Sequence, residues 1–317
     1  MAVYESSFWT PFSRPTVLSL SILMLILSVL MVPFYMVLVK VLRSNLIFKK
    51  NVFYFILSNI VIIDIAFVHG ASMAAMMSIK NERLFPLLYE ICSAIHAVYE
   101  WTLHLFCLML ALKTVIVIFD LEMRYTSKVL KFLTLFIWKA LFINLHVNDA
   151  AKIEFTYTFN VINFSVDLKT ANSRGVSYIW FYINLTFIVV TFICYLMVFL
   201  HLLLKKLELV KPRPFEECHL VFIKQGLATF LPTAIYFVIN AILSHEVAKA
   251  SVALSLFASL LPRFIPICNF FGLLIINRDL RSAYLTTLRD FFCCCKKRCE
   301  VREFEATTPT ASMVKCV

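Results

Sequence analysis

Residues 269–299 read NFFGLLIINRDLRSAYLTTLRDFFCCCKKRC. The stretch passes from an apolar run into alternating apolar and basic residues. It ends in three adjacent cysteines and a basic cluster. Leu280, Tyr284, Leu288 and Phe291 recur at helical spacing, with Arg278, Arg281, Arg289 and Asp290 largely on the other side. That pattern predicts a short amphipathic helix lying on a membrane leaflet. Cys293, Cys294 and Cys295 then fall where the chain touches the bilayer, beside Lys296, Lys297 and Arg298. Cysteines in that setting are palmitoylation candidates; the bland alternative is three free thiols.

The rest of the chain supplies the spans that such a helix would follow. Of 317 residues 61% are hydrophobic, 31 are Phe, and the mean hydropathy is +0.86. This is more apolar surface than one water-soluble core can hide, so an all-α membrane protein is expected. Seven apolar segments approach the roughly 20 residues that a helix needs to cross a bilayer. They lie at 16–42, 52–77, 88–119, 129–147, 177–204, 218–244 and 250–277. The fourth is the weakest, being short and holding Lys139; lying on the surface, it would leave six spans.

Basic residues set the expected orientation. Loops after the odd-numbered spans and the C-terminal tail hold nineteen Lys and Arg, against seven in the N-terminus and the other loops. The excess marks the cytoplasmic side. The N-terminus is thus expected outside and the C-terminus inside, which needs an odd number of spans. Asn163-Phe-Ser165, in an outer loop of this topology, is a glycosylation sequon. Residues 1–15 lack a basic n-region, so the first span reads as a retained signal anchor. The expected organisation is an extracellular N-terminus (1–15), a seven-helix bundle (16–277), an amphipathic eighth helix (278–292) and a cytoplasmic tail (293–317). The net charge of +11 then needs no nucleic acid. It reflects positive-inside bias and attraction to an anionic cytoplasmic leaflet. The ten cysteines form no disulfide framework: Cys92 alone comes near an outer loop, and no other cysteine there could pair with it.

This order of parts resembles a rhodopsin-like G-protein-coupled receptor, and the details are most similar to the nematode serpentine chemoreceptors. The likeness covers about residues 16–292. It rests on VPFYMVLVKVLRS in the first span, NVFYFILSNIVIIDI in the second and the motif remnants. Asp64 resembles the acidic residue of the family's sodium pocket. Lys113-Thr114 stands roughly where Asp-Arg-Tyr is expected, Phe230-Leu231-Pro232 resembles the aromatic-x-Pro kink of the sixth helix, and Asn269 resembles the first residue of Asn-Pro-x-x-Tyr. Phe270 and Leu273 replace the proline and tyrosine of that last motif. The resemblance implies a receptor in the plasma membrane, or a sensory cilium, that detects a small molecule from outside and signals to a heterotrimeric G protein. An orphan peptide or amine receptor and a seven-helix transporter are the alternatives. No protease, hydrolase or paired-carboxylate motif suggests an enzyme, and no cofactor or metal is expected.

Ionisable residues inside spans are candidate functional sites by default. Arg263 lies mid-span between Pro262 and Pro266, six residues before Asn269. Opsins carry their retinal lysine at the corresponding place; an arginine forms no Schiff base, so retinal is not expected. Arg263 is expected to meet an anionic ligand group or an internal partner, with Glu100 the obvious one. His96, Glu100 and His104 are spaced by four and share one helix face. That face, with Trp101 and Phe230, makes up the expected ligand site. Asp64, Lys113, Pro232 and Asn269 make up the expected switch. Lys113 and Lys224 could equally snorkel to the interface.

Overall fold

The computed structural model describes residues 13–82, 86–121, 125–150, 155–158, 163–166, 171–206, 216–246 and 252–293. Among these, seven long helices form a bundle: α1 (Arg14–Ser44), α3 (Val52–Lys80), α4 (Pro86–Ile118), α5 (Thr126–Ala150), α6 (Ala171–Lys206), α7 (Glu216–Glu246) and α8 (Val252–Ile276). They correspond to the seven expected spans. Two shorter helices, α2 (Leu46–Lys50) and α9 (Arg278–Cys293), flank them. Beside this all-α architecture, β1 (Phe155–Thr158) and β2 (Asn163–Val166) form a short antiparallel pair after α5, with Phe155 opposite Val166. Even the 25-residue helices α5 and α8 are roughly 37 Å long, enough to cross a hydrocarbon core of about 30 Å.

The distribution of side chains is that of a bundle solvated by lipid. Large apolar residues such as Ile26, Val29, Phe192 and Phe199 face outward, while Asn59, Asp64, Thr102, His104, Gln225 and Asn269 are buried. In water this arrangement would be costly twice over; in a bilayer it is the expected one. The described parts of α1, α3, α4, α6 and α7 are each long and apolar enough to span alone. The fourth span, α5, is placed in the bundle by its packing on α3 and α4. The chain is a multi-pass membrane protein.

Local chemistry fixes where the helices stop. Asn45 and Asn51 cap α2 and α3 by accepting from the N–H groups of Ile47 and Phe53. Asn81 ends α3 in the left-handed conformation (φ 60°). Arg14 donates to the carbonyls of Ser78 and Ile79 at 2.7 and 2.8 Å, tying the start of α1 to the last turn of α3, where a cation is favoured. At Asn277 the chain bends by 106° between α8 and α9. The Asn277 side chain accepts from the Leu280 N–H at 3.0 Å and donates to Tyr54 Oη at 2.6 Å. One residue thus caps α9 and fastens it to α3.

α4 is the central helix, packing on α3, α5, α6 and α7, while α1 packs along α3 and α7 along α8. α9 turns Leu280 and Tyr284 into the bundle against α1 and α8. Ala283 and Leu288 also pack against the core, whereas Leu285 (55% exposed) and Phe291 (57% exposed) face away and suit a leaflet. The face expected to lie on the membrane therefore docks on protein at Leu280, Tyr284 and Leu288, and only its Phe291 end is left for lipid.

Candidate functional site

The site is centred on Asp64, which is completely buried on α3. Tyr99 of α4 donates to its Oδ1 at 2.8 Å. Asn269 of α8 donates to Oδ2 at 3.0 Å, and Tyr35 of α1 approaches the same oxygen at 3.5 Å. The Tyr35 hydroxyl also donates to the Pro266 carbonyl. Four spans therefore meet on one carboxylate. The donors aim hydrogens at both of its oxygens, and Asn269 Oδ1 is a neighbouring acceptor without a partner among the described residues. Phe270, standing where the family has its proline, packs against Tyr35 (centroids 5.2 Å apart), Phe34 (6.4 Å) and Tyr284 (5.7 Å). It wedges α1, α8 and α9 together directly below Asn269.

Along α4 the polar residues on either side of Tyr99 separate. His96 hydrogen-bonds the Cys92 carbonyl at 2.9 Å and feels the charge of Arg263 on α8. It packs on Phe67 (4.7 Å) and beside Gly70, where a Cβ would come 3.1 Å from its ring. Glu100 hydrogen-bonds Tyr236 of α7. His104 bonds Asn184 of α6 at 3.1 Å and meets Phe237 edge-on. The shared face was expected to act as one surface with Glu100 opposite Arg263. Instead each residue addresses a different helix, so the three do not converge into a metal cage. Trp101 is half-buried beside Phe187 of α6. Arg263 is buried at 7% exposure, and α8 carries no lysine that could form a Schiff base.

The α6–α7 side is organised differently. Pro232 lies inside α7 and cannot donate to the preceding turn. Thr229 and Thr233 bond back to the carbonyls of Gln225 and Thr229, a habit that bends helices. Phe230 is buried against Tyr195 of α6 (5.8 Å). Tyr195 leans over Gly226, where an added Cβ would collide with its hydroxyl. The Tyr195 hydroxyl and both amide atoms of Gln225 are buried without a hydrogen-bond partner among the described residues.

With this geometry in view, the chain superposes on a solved structure described as squid rhodopsin, with a TM-score of 0.73 over 98% of each chain. The chain has the rhodopsin fold. Identity with the squid protein is 12%, so the likeness concerns architecture alone. No protein-family model and no curated relative matches the sequence.

Within the rhodopsin fold the remaining expected residues fall as follows. Lys113 is buried (5% exposed) in the last turns of α4, not snorkelling outward; Lys224 of α7 is exposed. Asn163 is the first residue of β2, and Cys293 is the last of α9; Cys294 and Cys295 lie outside the described residues. Sequence reading missed Tyr35 and Tyr99 as partners of Asp64, and Asn277 as the hinge of α9. It also missed Trp138, whose indole N–H donates to Asn59 at 2.9 Å, and the group formed by Tyr195, Gln225 and Gly226. Asn277 had a usable signal, an Asn directly before a helical pattern. So did Gly226, one of only four glycines in the chain.

Proposed function

We propose that this protein is a chemosensory receptor of the odorant or pheromone type, coupled to a heterotrimeric G protein and similar to the nematode serpentine chemoreceptors. The observation that carries the reading is the rhodopsin fold over 98% of both chains. Arg263, His96, Glu100, His104, Trp101 and Phe230 form the ligand-responsive interior. Two features of the molecule support this: polar groups inside a span mark functional sites, and these reach α6, α7 and α8 in turn. Asp64, Asn269, Lys113 and Pro232 form the switch. The ligand acts by favouring one of two bundle states, and only to the extent that it binds them unequally. The N-terminus faces outward at the plasma membrane or a sensory cilium, with Asn163 glycosylated. The ends of α4, α6 and α7 meet the G protein, and Cys293, Cys294 and Cys295 carry acyl chains that seat α9 on the anionic inner leaflet.

The test is nucleotide exchange on purified G proteins without added ligand, comparing wild type with Arg263→Ala and Pro232→Ala. Basal exchange that shifts in both variants is the expected result. Correctly folded protein that drives no exchange on any G protein, with or without a broad panel of small volatiles, argues against the coupling.

A further inference from the structure

α5 carries a charge that the bundle does not use. Its Thr134 and Ile137 are buried, and Trp138 turns to α3, where it donates to Asn59 at 2.9 Å. Lys139 comes next and is exposed. Phe132, Leu135 and Phe136 precede it by seven, four and three residues, share its helix face and are exposed to lipid. Lys128 and Lys131 are exposed too, but each has an aromatic ring 5.8 Å away, Tyr125 and Phe55 respectively. Phe55 belongs to the first turn of α3, so these two lysines mark where the helices leave the bilayer. Lys139 makes no hydrogen bond, ion pair or ring contact among the described residues.

Depth sets this lysine apart. Lys139 lies eight residues beyond Lys131, roughly 12 Å along α5. By a second measure, Asn59, level with Trp138, lies seven residues beyond Val52, roughly 10 Å into α3. The midplane of a hydrocarbon core is about 15 Å from either edge. Helical side chains lean toward the N-terminus of their own helix, so Lys139 and Lys131 lean the same way and keep their separation. Charged side chains at such depth are rare, and they pair with one another or face a water-filled interior. Within this chain Lys139 does neither.

We propose that the lipid-facing side of α5 docks a transmembrane helix of another protein, one that carries an Asp or Glu near the bilayer midplane and pairs it with Lys139. Charge complementarity selects this occupant. A second copy of the chain does not supply the anion: Asp64 and Glu100, the carboxylates well inside the described spans, are committed to other helices of their own bundle. A phospholipid phosphate stays at the interface, at the level of Lys128 and Lys131. Phe132, Leu135 and Phe136 give the partner helix its packing surface, and the ion pair fixes its register. The proposal rests on α5 spanning the membrane and is independent of the receptor reading.

The experiment uses the full chain, donor-labelled, in phosphatidylcholine vesicles. The probes are acceptor-labelled Leu-Ala helices of about 23 residues, with Asp, Asn or Leu at the centre. Energy transfer gives the affinity of each. The Asp helix is expected to bind about tenfold or more tighter than the Leu helix, with the Asn helix between them. Lys139→Leu should remove that advantage without loss of stability, because it takes a charge off the lipid face. Lys139→Asp should shift the preference to a helix with a central Lys, which an effect on folding would not do. Equal binding of the three helices, or an Asp preference that survives Lys139→Leu, would overturn the proposal. So would loss of the preference when phosphatidylglycerol replaces part of the phosphatidylcholine, since Lys139 would then belong to a lipid headgroup. No G protein is present, so failure here and failure of coupling are read separately.

Discussion

Around Asp64, hydroxyl and amide donors from α1, α4 and α8 converge on one buried carboxylate. At the α6–α7 seam, by contrast, three polar atoms of Tyr195 and Gln225 are buried with no partner among the described residues. α1, α3 and α4 are also packed closely in series, while α6 and α7 touch little. A buried polar atom without a partner costs on the order of 1–3 kcal/mol. The two regions thus have opposite thermodynamic leanings. The Asp64 side loses contacts by rearranging, and the α6–α7 side stands to gain them. If the molecule has a second state, the physical reason to enter it lies at Tyr195 and Gln225, and the Asp64 cluster is the frame against which α7 moves. Pro232 sits two turns from Gln225 and, lacking an N–H, supplies a place to bend.

The largest expected effect comes from removing the frame. Asp64→Ala strands Tyr99 and Asn269, while Tyr35 keeps the Pro266 carbonyl as its acceptor. At about 1–3 kcal/mol for each stranded buried group, it should lower the unfolding temperature in nanodiscs more than any single change at the α6–α7 seam. If Gln225→Leu destabilises as much as Asp64→Ala, the contrast between the two regions is wrong.

Next in size is Gly226→Ala. The added Cβ meets Tyr195, so the ring must move or the helices must part, at a cost of about 1–3 kcal/mol. Tyr195→Phe is its counterpart. It deletes a hydroxyl that has no partner among the described residues and should leave stability unchanged or raise it by about 1 kcal/mol. Under the receptor reading the same change lowers basal nucleotide exchange, because the hydroxyl finds its partner only in the second state. A stability loss in Tyr195→Phe would mean that the hydroxyl is already satisfied, and the seam would then have no special reason to move.

Much of this architecture was legible from residues alone, and the gaps have a common cause. Hydropathy and basic-residue bias located seven spans and the eighth helix, because lipid imposes length and apolarity on each segment separately. Arg263 stood out as an intramembrane charge for the same reason, and Asn269 through its resemblance to the Asn-Pro-x-x-Tyr motif. What periodicity does not contain is the rotation of one helix against another. Tyr35 and Tyr99 look like ordinary apolar-run aromatics until α1 and α4 are set beside α3. His96, Glu100 and His104 do share a face, yet each step of four residues turns the direction by roughly 40°. On a central helix that sweep is enough to reach α8, α7 and α6 in turn.

The smallest expected effect tests whether α9 belongs to the frame. Tyr284 is buried on α9, packs on Phe270 and donates to the Phe34 carbonyl at 3.3 Å, a long bond. Tyr284→Phe keeps the ring and its packing, so the loss should stay below about 1 kcal/mol. Its pH dependence is the sharper readout. Burial pushes the Tyr284 phenol up to about 12, against about 10 in an unfolded chain. The protonated form is thus favoured by folding. The contribution is fully present below about pH 10 and is lost as pH rises from there toward 12. Unfolding temperatures of wild type and Tyr284→Phe should therefore run parallel from neutral pH to about pH 10, with wild type falling faster above it. Curves that stay parallel throughout would show Tyr284 to be solvated like an ordinary tyrosine. α9 would then be held by Asn277 and Leu280 alone, and its outer half would be free to follow the leaflet and not the bundle.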